Sequence, residues 1–375
     1  MTQGTILVTG TSRSGTTLLE KMLSSHPDIY LVSQPMPYMY RMIKEKFYAS
    51  IGYTNKQYVL NDLFDPEYSR KDFIDFVNNY KIPRKDFDNI LHLMQDWSGQ
   101  YERLININEV ISNYESDKLV SVYEYILSQY ITKSKYEYIG SKETLIEEFV
   151  PYFLSKGIKV IMIIRDPRDV YTSINIGKGT EYTGKRRPAL FHLRNWRKSV
   201  AIINTFKNWN KFTFVKYEDI LKYKEKELNK LTDFLSVDDF SKGYFDKGIR
   251  TKDGALWKGN SSNKKHQGIN EKNIGKYKNH FNNNTIGYIE FICGPEMKSM
   301  GYNKNIDKYN PYNFVEPYSL DNTGLNNNMS VSKIELSKED KRLEYLRNNS
   351  ISHEIIEKYF YSKENYMELK ESMLC

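Results

Sequence analysis

The feature that most restricts the fold lies at the front of the chain. Thr5-Ile6-Leu7-Val8-Thr9 is a short β-branched run that suits a strand. It is followed by the glycine-bounded turn Gly10-Thr11-Ser12-Arg13-Ser14-Gly15 and then by Thr16 to Ser25, where Leu18, Leu19, Met22 and Leu23 fall on one helical face. A turn that enters a helix this way directs backbone N–H groups and the positive end of the helix dipole at one point, which favours an anion. The spacing Gly10-x4-Gly15 equals that of a phosphate-binding loop, yet Thr16 stands where a nucleoside triphosphatase needs its lysine. Positive charge comes instead from Arg13, and Ser14, Thr16 and Thr17 add hydroxyl donors. Ordinary strand-to-helix turns share this glycine spacing, so other segments have to decide between the two.

Those segments repeat the pattern. Ile29 to Val32, Tyr138-Ile139-Gly140, Lys159 to Ile164 and Phe212 to Val215 are apolar, β-branched runs separated by helical stretches. Buried parallel strands with crossover helices read this way. The expected class is α/β, a P-loop-like central parallel sheet flanked by helices, with a polar C-terminal extension. Residues 38–135 are mostly helical and aromatic, with no strong strand. After Gly301-Tyr302 the chain turns polar and rich in Asn and Tyr until a charged helical pattern from about Ser337 to Met373. The expected division is therefore a main domain over 1–305 and a partly helical extension over 306–375.

The 375 residues allow one large elaborated domain or two modest ones, at roughly 150 residues each. Two cysteines, Cys293 and Cys375, exclude a disulfide framework and a CxxC-type zinc site, and they fit a reducing compartment. None of the six histidines, His26, His92, His192, His266, His280 and His353, is spaced as a helix-borne metal pair, so no metal is expected. The net charge of +8 favours anionic partners, although it also serves solubility. A nucleic-acid binder would interleave stacking aromatics in a basic stripe, and none is evident. The most apolar stretch, Val160 to Ile164, stops at Arg165, short of the roughly 20 residues a membrane span needs. Met1 to Gly4 lead directly into the first strand with no apolar leader, which makes a cytoplasmic location the expectation.

The run Arg13-Ser14-Gly15-Thr16-Thr17-Leu18-Leu19, with His26-Pro27-Asp28-Ile29 after it, resembles the sulfotransferase superfamily that uses 3'-phosphoadenylyl sulfate (PAPS). The resemblance implies that residues 13–17 grip the donor's 5'-phosphate and the bridging oxygen, where negative charge grows during transfer, so that Arg13 is electrostatic rather than a base. It extends to Arg165-Asp166-Pro167-Arg168-Asp169-Val170-Tyr171-Thr172-Ser173, which has the superfamily's strand-end arginine and, eight residues on, its serine for the 3'-phosphate. Here Asp166 is expected to cap a helix that starts at Pro167. Phe214-Val215-Lys216-Tyr217-Glu218-Asp219 is similar to the segment whose tyrosine lies near the adenine, which points to Tyr217. Trp257-Lys258-Gly259-Asn260-Ser261-Ser262 also resembles a family segment, as does Ile274 to Phe281, with Tyr277 in place of the usual tryptophan. The cytosolic branch's Arg-Lys-Gly triplet corresponds to Asn270-Glu271-Lys272 and is not matched; Lys264, Lys265, Lys276 and Lys278 are the possible substitutes, with Lys276 and Lys278 favoured as donor ligands. The likeness runs from about Thr5 to Tyr302.

Sulfuryl transfer is an in-line displacement, so a site must orient donor and acceptor and take a proton from the nucleophile. Members of the superfamily place a Glu after the second strand, or a His two residues after a strand-end Lys. Gln34 and Thr144 occupy those places in this chain. Lys142 is expected to stabilise charge on the transferring group, and Glu143 beside it is the nearest candidate base in sequence. His92 and Asp96, four apart on an expected helix, form a second candidate pair, against which stands a solvated helix surface. Gly177 to Arg187 reads equally as a basic lid or a surface loop, and Met36, Tyr38, Met39, Tyr40 and Met42 as an acceptor platform or as core. The resemblance thus implies sulfuryl transfer from PAPS to a hydroxyl or amine of a carbohydrate, sterol or other small molecule. The alternatives are a P-loop nucleotide-kinase-like phosphotransferase, which would need a lysine at Thr16, and a non-catalytic nucleotide-binding protein.

Overall fold

The computed structural model describes residues 4–53, 59–60, 68–95, 102, 104, 106–131, 136–175, 187–252, 254–257, 259, 271–319, 332–348 and 350–374. It divides into two compact units, one of Met1–Thr54, Arg70–Ile163 and Trp209–Ile269, the other of Asn55–Ser69, Ile164–Asn208 and Asn270–Cys375.

The first unit is built on a five-stranded sheet. Its strands are β1 (Gly4–Thr9), β2 (Ile29–Ser33), β5 (Tyr138–Lys142), β6 (Lys159–Ile164) and β7 (Phe212–Lys216), in the order β2-β5-β1-β6-β7. β1 pairs in parallel with β5 and β6, and β2 with β5. All five strands expected from the sequence are present. β6 is buried from Val160 to Ile164 without alternation, as a strand covered on both faces must be. The α-helices of this unit that precede β6 are α1 (Thr16–Leu23), α2 (Pro37–Ser50), α3 (Arg70–Asn79), α4 (Arg84–Gln95), α5 (Ile107–Ser112), α6 (Leu119–Ser128) and α7 (Val150–Ser155). The expected helical region over 38–135 also contains a two-residue antiparallel pair, β3 (Lys81–Ile82) with β4 (Asp117–Lys118), too short to leave a sequence pattern. Tyr40 packs edge-on to Phe149, and Met36 and Met39 are wholly buried, so these three belong to the core.

The chain enters the helices of the second unit where β6 ends. That unit's first helix, α8 (Pro167–Asn175), is followed by α9 (Ala189–Phe206). The chain then returns to the first unit for α10 (Tyr217–Lys222) and α11 (Lys224–Leu235), and comes back for α12 (Asn283–Ser299), α13 (Lys333–Arg347), α14 (His353–Phe360) and α15 (Lys363–Leu374). α9 packs against α8, α12 and α15, and α13 against α15. The charged C-terminal pattern is thus three helices, and α13 buries Glu339 and Arg342. Among the described residues no helix is long and apolar enough to cross a membrane.

Candidate functional site

In the first unit, residues 10–15 form a tight turn between β1 and α1, and Thr16 and Thr17 open the helix. The Ser14 backbone N–H and hydroxyl both donate to the Thr11 carbonyl, at 3.1 and 2.6 Å, which closes the curl. Both glycines are sterically required. A Cβ on Gly10 would collide with the Ile163 carbonyl, and one on Gly15, at φ +104°, would lie 2.5 Å from the Tyr217 ring. Arg13 adopts φ +70°, unusual for a residue with a side chain and frequent at functional turns. Gly15 caps α1 with no side-chain acceptor, so no carboxylate or hydroxyl of the cap competes for the helix's first N–H groups. Arg13, Ser14, Gly15, Thr16 and Thr17 are therefore gathered on one curl, and Tyr217 packs directly on it.

The end of β5 carries the second group of this unit. Lys142 and Glu143 are both buried. Burial pulls the Lys142 ammonium below its usual range while Glu20 and Glu143 pull it back. Burial pushes the Glu143 carboxyl up to about 8, against the opposing pull of Lys142 and of the Met36 N–H. That N–H donates to Glu143 Oε1 at 3.0 Å. Among the described residues Glu143 Oε2 has no hydrogen-bond partner, and neither has Oε2 of buried Glu20. Beside them, Thr144 donates to Gln34 Oε1 at 3.1 Å. Gln34 and Thr144 are thus bonded to each other as a neutral pair, and Lys142 and Glu143 are the ionisable groups at this strand end.

In the second unit, Arg165 follows β6 directly and is buried. Its Nη2 donates to the Asn273 carbonyl at 2.5 Å and lies 3.7 Å from Asp169 Oδ2. Asp169, fully buried on α8, accepts the Gly275 N–H at 2.7 Å and the Tyr277 N–H at 3.0 Å. Burial raises its carboxyl, and Arg165 with these two N–H groups opposes the shift. Asp166 caps α8 as expected, its Oδ1 accepting the Arg168 N–H at 2.9 Å. The Arg168 guanidinium pairs with Asp166 and Glu290, each at 2.6 Å, and lies 4.4 Å over the Tyr277 ring. The segment carrying half-buried Lys276 and exposed Lys278 is in this way pinned to the first turn of α8, and Ser173, a turn further along that helix, is also buried.

Asp169, Arg168 and Glu290 gave no sequence signal: Arg165 precedes α8, so helical spacing does not pair it with Asp169, and Glu290 is distant in the chain. His92 pairs with Asp88 at 3.1 Å on an exposed helix surface, and Asp96 lies outside the described residues. Residues 177–186 of the expected lid, Lys264, Lys265 and Asn270 also lie outside them. Among the described residues no group of three His, Cys, Asp or Glu side chains is placed to hold a metal ion.

A family model described as "Sulfotransferase family" matches residues 5–242. No curated protein matches the chain. Among solved structures, the sulfotransferase domain from the curacin biosynthetic pathway is 19% identical, with 81% of this chain and 99% of that one covered and a TM-score of 0.48. The sulfotransferase domain of the Synechococcus olefin synthase is 17% identical, covering 80% and 96%, with a TM-score of 0.49. A mouse sulfotransferase complexed with PAP is 15% identical, covering 79% and 84%, with a TM-score of 0.38.

Proposed function

Because the chain belongs to the sulfotransferase family, we propose that it moves the sulfuryl group of PAPS to a hydroxyl, or an amine, of a carbohydrate, sterol or other small molecule, releasing adenosine 3',5'-bisphosphate. The observation that carries this reading is the curl of residues 10–17. Its two glycines leave no space for a Cβ and its helix start is free of a side-chain cap, while Thr16 stands where a triphosphatase needs lysine. Such a turn suits a monophosphate-type anion better than a Mg-bound triphosphate.

In this reading Arg13, Ser14, Gly15, Thr16 and Thr17 hold the donor's 5'-phosphate, and Tyr217 lies by the adenine. Arg165, Ser173, Lys276 and Lys278 hold the 3'-phosphate. The acceptor oxygen forms a bond to sulfur as the bond from sulfur to the 5'-phosphate oxygen breaks, and the departing oxygen keeps the electron pair. Arg13 and Lys142 stabilise the charge that develops. The acceptor proton passes to Glu143, whose carboxyl titrates at about 8 and whose Oε2 has no hydrogen-bond partner among the described residues. Residues 1–305 are proposed as the catalytic domain and 306–375 as its extension. Buried, unpaired Cys293 suits a reducing compartment, and the cytoplasm is the proposed one.

Labelled PAPS offered with pooled carbohydrates, sterols and phenols tests the proposal. It expects label on an acceptor together with an equal release of adenosine 3',5'-bisphosphate. Donor binding with no release for any acceptor would leave a silent nucleotide binder, and phosphoryl transfer from Mg·ATP would favour the kinase-like alternative.

A further inference from the structure

Helix α9 is gripped along one side by the C-terminal helices. Glu339 of α13 is buried between Arg194, whose Nη2 it meets at 3.1 Å, and Arg197, whose Nη1 it meets at 2.5 Å. Further along, Asn204 donates to Asn365 Oδ1 at 3.0 Å, and Thr205 and Ser362 share a hydroxyl contact at 2.7 Å. Positions 194, 197, 204 and 205 fall on a single face of a helix. Trp196, two residues from Arg194, lies off that face. It is wholly buried, and its one polar atom must find an acceptor. Nε1 donates at 2.8 Å to the carbonyl of Arg165, at the point where the chain leaves β6 and is about to enter α8.

We propose that Trp196 is a positioning residue for donor binding: its indole N–H fixes the Arg165 backbone, and α9, clamped by the C-terminal helices, fixes the indole. This rests on the reading of Arg165 as a ligand of the donor's 3'-phosphate. The guanidinium is already committed to the Asn273 carbonyl and Asp169, so its usefulness to a phosphate depends on where the backbone places it. A buried residue that only filled space would affect the melting temperature and leave the phosphate contact of the folded chain unchanged.

The experiment is a double-mutant cycle on the full chain, read as the Kd of adenosine 3',5'-bisphosphate by calorimetry well below the melting temperature. Trp196→Phe removes the N–H and keeps an aromatic ring, and it is expected to weaken binding by about tenfold. In the Arg165→Ala background the same change is expected to cost less than about twofold, because the residue being positioned is gone. An equal penalty in both backgrounds, or no penalty on the wild-type background, overturns the proposal while leaving the donor reading intact. Wild-type affinity in Arg165→Ala alone would sink the donor reading and the proposal with it. Should Trp196→Phe fail to fold, benzothienylalanine at position 196 keeps the fused-ring shape without the N–H and gives the same two-way result.

Discussion

β5 and β6 end alike in sequence and differently in chemistry. Each delivers a buried cation at or just past its last residue, Lys142 or Arg165, and a buried carboxylate soon after, Glu143 or Asp169. At Arg165 the polar groups are used: the guanidinium reaches the Asn273 carbonyl, and both oxygens of Asp169 accept backbone N–H groups. At Lys142 the balance is poor. The cation is pulled down and the acid pushed up to about 8, and one carboxyl oxygen is left without a partner among the described residues. A cation held in place by hydrogen bonds suits the proposed binding of an anion, whereas a buried acid pushed up to about 8 suits the proposed proton transfer. The two strand ends thus divide the proposed work into binding and proton transfer.

The largest expected effect tests that division at β5. Glu143→Gln is expected to lower kcat by about 10²- to 10⁴-fold and to leave the donor Kd within about twofold. Retained turnover would place the base elsewhere. At β6 the effect should fall on affinity: Arg165→Ala is expected to raise the Kd of adenosine 3',5'-bisphosphate by about 10- to 100-fold. Gly15→Ala, which forces a left-handed alanine against the Tyr217 ring, is expected to cost about 1–3 kcal/mol in chemical denaturation and to weaken donor binding as well.

Proton linkage offers a gentler test. Glu143 ionises near 4.5 when unfolded and near 8 when folded, so between these values the folded chain holds a proton that the unfolded chain has shed. Rising pH therefore removes stability across this window. The melting temperature of Glu143→Gln should fall less steeply between pH 5 and 8 than that of the wild type; parallel slopes would contradict the raised acid. The smallest effect is expected on the exposed face of α4, where His92→Ala should change stability by less than about 0.5 kcal/mol and activity not at all.

The sheet was largely legible because each strand is an apolar, β-branched run bounded by polar turns, and β6 reads as KVIMII directly. Strand order was not, since spacing along the chain does not say that β1 lies between β5 and β6. The turn at residues 10–15 was legible for a local reason: strand, loop and helix are contiguous. The Gln34–Thr144 bond was hidden because its partners are 110 residues apart. Glu339 was hidden for a different reason. A glutamate in a charged helix reads as surface, and only the three-dimensional structure brings Arg194 and Arg197 to it. Trp196 gave no pattern either, because one aromatic on a long helix reads as core whether or not its N–H has a task.

The account depends on an adenylate with phosphates at both ends being the ligand these groups are built for. Melting curves of the full chain with adenosine 3',5'-bisphosphate and, separately, with Mg·ATP test it most directly. A ligand specific to the folded state at about 100 times its Kd stabilises by about 2.7 kcal/mol. The account predicts a clear rise in melting temperature with the bisphosphate and none with Mg·ATP. A rise with Mg·ATP alone would contradict it.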